Sequence, residues 1–198
     1  MNEVFPEFRL ALILGGAKSG KSRLALRLAE AQPLPRLYVA TAEPGDAEMA
    51  ARIAQHQQAR GPAWETWEIP LELAAAIKRA QNHYRVILID CLTLWVSNLL
   101  MTEPAEAGLE AACQGVLQAA SQTGVPLIFV SNEVGWGIVP DNPLARRFRD
   151  VAGELHQRLA AAADLVMLTI AGLPMVLKSP RQKGAWHGTG INAADCPD

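Results

Sequence analysis

Short apolar runs alternate along this chain with stretches in which apolar side chains recur every three or four positions. The runs at 9–16 (RLALILGG), 36–42 (RLYVATA), 84–90 (YRVILID), 125–135 (VPLIFVSNEVG) and 164–172 (DLVMLTIAG) predict strands, the fourth running into a glycine-rich loop. Residues 173–178 (LPMVLK) predict a returning strand beside the fifth. Helical spacing predicts helices over 21–32, 46–60, 71–81, 92–100, 109–122 and 142–163. The second of these begins after a Pro-Gly-Asp turn and stops at Gly61-Pro62. In the sixth, Leu144, Phe148, Val151, Leu155 and Leu159 share one side. Strands that are apolar on both faces, separated by helices, predict a three-layer α/β fold with a mainly parallel central sheet and an antiparallel strand at its C-terminal end. The last 20 residues hold three glycines and two prolines with no periodicity. One domain over 1–178 and a tail over 179–198 are therefore expected.

Composition narrows the function. Half of the 198 residues are hydrophobic, 19% are charged, and the net charge is −2. Nothing basic enough for nucleic acid is present. No apolar run approaches the roughly 18 residues of a membrane span, and residues 1–9 carry acids and a proline instead of a secretory signal. A cytoplasmic protein is the expectation. Cys91, Cys113 and Cys196 are too scattered for a metal motif or a disulfide framework.

The first strand runs straight into Gly15, Gly16, Ala17, Lys18, Ser19, Gly20, Lys21 and Ser22, a GxxxxGK[ST] loop followed by a helix. Its backbone amides and the helix N-terminus attract a phosphate chain. Lys21 is placed for the β- and γ-phosphates, and the Ser22 hydroxyl for Mg²⁺. Asp90, an acid closing an apolar strand, is the expected second Mg²⁺ ligand, directly or through water.

His56 lies in an i, i+4 stripe with Glu48, Arg52 and Arg60, on the border between the apolar and polar faces of its helix. One reading is a solvated stripe. The other is a phosphorus nucleophile, because two cationic neighbours keep an imidazole neutral and can clamp a phosphate. Glu133 follows a strand end, where ligands of open α/β sheets bind, and could act as a base or a metal-side acid, with Asn132 as a donor. The glycines of that loop could equally be there only for its turns. Arg146, Arg147 and Arg149 open the last helix as candidate phosphate contacts or solvated charges. Trp64 and Trp67 could stack on a base or fill a core. His83, His156 and His187 show no partner in the sequence.

GGAKSGKS, LYVATA, DAEMAARIAQHQQAR, WETWEIPLEL, LIDCLTLWVSNLL and SNEVGWGIVPDNPLARRFRDVAGELHQRLA occur in this order. Together they resemble the bifunctional adenosylcobinamide kinase / adenosylcobinamide-phosphate guanylyltransferase family of cobalamin biosynthesis, over about residues 10–178. The resemblance implies a phosphate-loop NTPase-like fold and two reactions. A nucleoside triphosphate, ATP or GTP, phosphorylates adenosylcobinamide; GMP from GTP is then transferred to adenosylcobinamide-phosphate, with release of pyrophosphate. It aligns the family's guanylylated histidine with His56. It puts nucleotide contacts on Gly15 to Ser22, on Ala40, Thr41 and Ala42, on Gln57, Gln58, Ala59 and Arg60, on Glu68 and on Asp90. Members can be trimeric, so a homotrimer is an expectation. Departures are Gln57, Gln58 and Ala59 after the histidine, and His156 where the family pattern has asparagine. A phosphate-loop kinase without nucleotidyl transfer and a non-catalytic nucleotide-binding regulator are the competing readings.

Overall fold

The computed structural model describes residues 5–42, 61–103 and 105–180. The helix expected over 46–60, with His56, and the tail beyond 180 lie outside the described residues.

Among the described residues, seven strands form one sheet: β1 (Leu10–Gly15), β2 (Arg36–Ala40), β3 (Trp64–Glu68), β4 (Val86–Asp90), β5 (Leu127–Asn132), β6 (Leu165–Ile170) and β7 (Leu173–Lys178). Their order is β3-β2-β4-β5-β1-β6-β7, parallel throughout except for β6 against β7. The hairpin turns through Ala171 and Gly172, both at positive φ, so 173–178 does return antiparallel as expected. The described helices are α1 (Lys21–Glu30), α2 (Leu73–Ala80), α3 (Leu92–Thr102), α4 (Glu106–Gln122) and α5 (Pro143–Ala162).

The continuous apolar strands are explained by burial on both faces. Leu10, Leu12 and Leu14 of β1, Ile87 and Ile89 of β4, and Leu127 and Phe129 of β5 join one core with Leu73, Trp95, Val116 and Leu155 from α2 to α5. The alternate residues Ala11, Ile13, Leu88, Ile128 and Val130 join a second core against Leu24, Ala25 and Leu28 of α1. A period of two in side-chain direction thus divides each strand between two helical layers.

Two features depart from the sequence reading. Strand β3 is unforeseen: it pairs in parallel with β2 at the sheet edge. Its tryptophans serve packing. Trp64 is buried edge-on to Tyr38, with centroids 6.3 Å apart. Trp67 meets Tyr84 edge-on at 5.5 Å, and the Arg79 guanidinium lies 4.1 Å from its ring centroid. In α5, Leu155 and Leu159 are buried and Phe148 and Val151 pack on the core, but Leu144 is 45% exposed and leaves that face. It lies in the first turn, where Asn142 caps the helix by accepting from Leu144 N (2.8 Å) and Ala145 N (3.3 Å).

Candidate active site

The expected nucleotide contacts among the described residues stand at the C-terminal ends of the parallel strands or in the loops and first helical turn just beyond them. Gly15 ends β1, Asp90 ends β4, Ala40 ends β2 and Glu68 ends β3. Ala40 pairs with both Glu68 and Asp90, so these three share one level of the sheet. At about 4.8 Å per strand, Asp90 lies two strands (~10 Å) and Glu68 four strands (~19 Å) from β1. The row of strand ends runs outward from the phosphate loop along the sheet.

The loop itself is built for an anion. Lys18 (φ 55°) and Gly20 (φ 96°) adopt left-handed backbone, which curls the chain so that successive amides can converge. Lys21 is buried at the first residue of α1, and its Nζ donates to Gly16 O at 3.0 Å, folding the ammonium over the loop. Ser22 is half-buried in the first turn of α1, while Gly16, Ala17 and Lys18 are exposed. Ser19 is buried inside the loop against Gly15, and among the described residues its hydroxyl has no hydrogen-bond partner.

Asp90 is half-buried, and its Oδ2 accepts from the Tyr38 hydroxyl at 3.0 Å. Thr41 is fully buried and its polar atoms are engaged. Its hydroxyl donates to Cys91 O (2.7 Å) and accepts from Cys91 N (2.9 Å), and its carbonyl accepts from Asn98 Nδ2 (2.9 Å). Its amide donates to Asp90 O at 3.3 Å. Thr41 therefore fixes the β2 end against the Asp90–Cys91 corner. Ala40 is buried too, which leaves half-buried Ala42 the most accessible of the three. Glu68 is exposed. Gln57, Gln58, Ala59 and Arg60 lie outside the described residues.

Beside the loop, the Glu133 amide donates to Gly15 O at 3.1 Å, which ties the residue after β5 to the start of the phosphate loop. The Glu133 Oε1 accepts from Gly135 N at 2.8 Å. Asn132 Nδ2 donates to Thr93 Oγ1 at 3.0 Å, linking β5 to the first turn of α3. A cleft of about 430 Å³ runs between Ala17, Glu133 and Phe148.

The basic opening of α5 is used within the protein. Arg146 donates to the carbonyls of Pro140 (2.8 Å) and Asp141 (2.7 Å), Arg147 pairs with Glu106 at 3.0 Å, and Arg149 lies 3.7 Å from Asp150. His156 has a partner that the sequence did not reveal. It is buried, and its Nε2 lies 2.6 Å from the Ser131 hydroxyl, fixing α5 to the penultimate residue of β5. Burial lowers its pKa from 6.5, against a smaller opposing pull from the Glu133 charge. Burial also raises the pKa of Cys91, and pushes that of Cys113 up to about 11, so neither thiol is activated. Among the described residues no group of three metal-ligating His, Cys, Asp or Glu exists, and no helix is long and apolar enough to cross a membrane.

This architecture matches known proteins. The flagellar accessory protein FlaH of Methanocaldococcus jannaschii superposes with a TM-score of 0.50 at 14% identity, over 90% of this chain and 82% of its own. A KaiC-like protein of Pyrococcus horikoshii gives 0.50 at 10%, over 89% and 82%. These likenesses concern the fold. Sequence relatives go further. The bifunctional adenosylcobalamin biosynthesis protein CobP of Pseudomonas aeruginosa is 47% identical over 167 residues, covering 84% of this chain and 96% of that protein. The bifunctional adenosylcobalamin biosynthesis proteins CobU of Escherichia coli and Salmonella typhimurium are 39% and 41% identical, each over 85% of this chain and 99% of their own. A family model described as cobinamide kinase / cobinamide phosphate guanyltransferase matches residues 11–177. With the phosphate loop, the acid ending β4 and the Ser-Asn-Glu end of β5 all inside that match, the chain belongs to the cobinamide kinase / cobinamide phosphate guanyltransferase family.

Proposed function

We infer that this protein phosphorylates adenosylcobinamide with a nucleoside triphosphate and then transfers GMP from GTP to adenosylcobinamide-phosphate, yielding adenosylcobinamide-GDP and pyrophosphate. The observation that carries this is a phosphate loop at the end of β1 within a family match spanning residues 11–177.

In the kinase reaction the acceptor hydroxyl displaces the nucleoside diphosphate from the γ-phosphorus. Lys21 lies at the loop and would turn from Gly16 O to the phosphate oxygens. In the second reaction the His56 imidazole would attack the α-phosphorus of GTP; a P–N bond forms and the P–O bond to pyrophosphate breaks. An oxygen of adenosylcobinamide-phosphate then attacks the same phosphorus and the imidazole leaves. Two displacements replace one difficult transfer. Arg52 or Arg60 would balance charge on the phosphorus oxygens. Ala40 to Ala42, Gln57, Gln58, Ala59, Arg60 and Glu68 would line the nucleotide, with Thr41 acting through the backbone corner that it fixes.

Ser22 and Asp90 fit Mg²⁺, since a hydroxyl and a carboxylate are the hard oxygen donors it prefers and Tyr38 occupies only Oδ2 of Asp90. When bound, the ion would offset charge on the phosphates. The cytoplasm, where nucleoside triphosphates are made, is the expected location, no nucleic-acid partner is expected, and residues 1–178 would be the catalytic domain. A homotrimer follows from the family resemblance and is measured by light scattering.

The test is labelling with α-labelled GTP. Wild type should form an acid-labile, base-stable GMP adduct, His56→Ala should form none yet keep kinase activity, and Lys21→Ala should lose at least about 100-fold in both reactions. Undiminished labelling of His56→Ala would overturn the assignment of the nucleophile.

A further inference from the structure

We propose that Glu133 is the general base of the phosphorylation step, and that the groove running from it along α3 and α5 seats the arm bearing the acceptor hydroxyl. The proposal rests on the functional reading above and assigns its acceptor side.

The position of Glu133 is fixed by the backbone. Its amide is bonded to Gly15 O, so the residue is anchored to the start of the loop that receives the γ-phosphate. Its Oε1 is held by Gly135 N, and its Oε2 takes no hydrogen bond among the described residues. Ala17 of the loop and Glu133 line the same cleft, so a hydroxyl entering there stands between phosphorus and carboxylate. The other acids of the site are less suited. Asp90 is bonded to Tyr38 and does not line this cleft, and Glu68 lies about four strand spacings (~19 Å) from β1.

The cleft opens into a second one of about 200 Å³, with Ser97 and Phe148 belonging to both. Together they form a groove with a polar end at Asn132 and Glu133 and an apolar end at Leu144 and Met101. Leu144 and Met101 are 45% and 73% exposed, which explains why Leu144 departs from the core-facing side of α5. Such a groove suits an alkyl alcohol at the end of an arm on a larger, partly apolar body.

In the step itself, Glu133 takes the proton of the hydroxyl as its oxygen bonds to the γ-phosphorus. The P–O bond to the β-phosphate breaks, the nucleoside diphosphate leaves, and the proton passes from Glu133 to solvent. Guanylyl transfer uses an acceptor that is already a phosphate anion and has no such proton to remove.

The two reactions therefore separate the proposal from a structural role. Each is measured alone, with cobinamide plus a nucleoside triphosphate, and with cobinamide phosphate supplied directly plus GTP. Glu133→Gln should lower kcat for phosphorylation by about 10²–10⁴-fold, with a loss in guanylyl transfer at least about tenfold smaller, and Glu133→Asp should recover part of the rate. Ser97→Trp, which fills the groove, should raise KM for cobinamide at least about tenfold more than it changes the Kd for GTP. Equal losses in both reactions, or none, would overturn the base assignment, and an unchanged KM in Ser97→Trp would overturn the groove. If wild type phosphorylates no cobinamide while still forming the GMP adduct, the kinase reading itself fails and takes this proposal with it.

Discussion

At the scale of single residues, the phosphate loop tolerates one of its first two glycines being changed far better than the other. A Cβ on Gly15 would lie 2.6 Å from the Thr169 carbonyl oxygen and collide with the Ser19 hydroxyl, while one on Gly16 would meet nothing within 4 Å. Thr169 is backbone in the neighbouring strand, so the clash cannot be relieved by a rotamer change. Gly15→Ala should cost about 1–3 kcal/mol in urea unfolding, and Gly16→Ala much less. His156 gives a pH signature. Its imidazole resists protonation when folded, but in the unfolded chain it takes up a proton near pH 6.5. The unfolded state therefore binds more protons as pH falls below 6.5, and stability drops through that window down to the lowered folded pKa. His156→Asn should flatten this acid limb in unfolding midpoints taken from pH 8 to 5, whatever it does to stability at pH 8. The sequence marked His156 as a departure from its family without showing why. The reason is a contact across 25 residues, with Ser131, that no local pattern encodes.

At the scale of elements, the legible strands were those buried on both faces. A run such as VILID can be explained only by apolar layers above and below it, and its terminal acid then falls at the strand end. WETWE was not legible because β3 is an edge strand with Glu65 and Glu68 exposed and only Trp64 buried. Its β-favouring Trp and Thr were the signal available. The geometry at the ends of β2 and β4 was equally hidden: the resemblance places a nucleotide contact at Thr41, and the structure adds that its hydroxyl bonds both the carbonyl and the amide of Cys91. Thr41→Val keeps the shape and removes that link. The Cys91 carbonyl still receives Trp95 N at 3.2 Å, but the Cys91 amide loses its hydroxyl acceptor. The expected cost is about 1–3 kcal/mol in denaturant midpoints, with weaker GTP binding because the Asp90 corner loosens. Stability that stays within a few tenths of wild type would show that the corner is held by its backbone alone.

At the scale of the whole molecule, the order β3-β2-β4-β5-β1-β6-β7 decides what the motifs can do together, and no single motif contains it. It inserts β5 between the strand carrying the phosphate loop and the strand carrying Asp90, which brings the Ser-Asn-Glu end of β5 between them. The proposed nucleotide contacts sit at several strand ends at once, so ligand binding should be felt as global stability. A ligand that binds only the folded state at 100 times its Kd adds about 2.7 kcal/mol. For a chain of this size each kcal/mol raises Tm by about 2–4 °C, so saturating GTP should raise the melting temperature by ~5–10 °C. Lys21→Ala should lose most of that shift, because the ammonium that lies over the loop at Gly16 O is the group placed to meet the phosphate oxygens. Removing divalent cations with a chelator should shrink the GTP shift in wild type if Ser22 and Asp90 hold Mg²⁺, and Asp90→Asn should make the shift insensitive to the chelator. A full GTP shift in Lys21→Ala would mean that the nucleotide's binding energy comes from elsewhere along the row of strand ends.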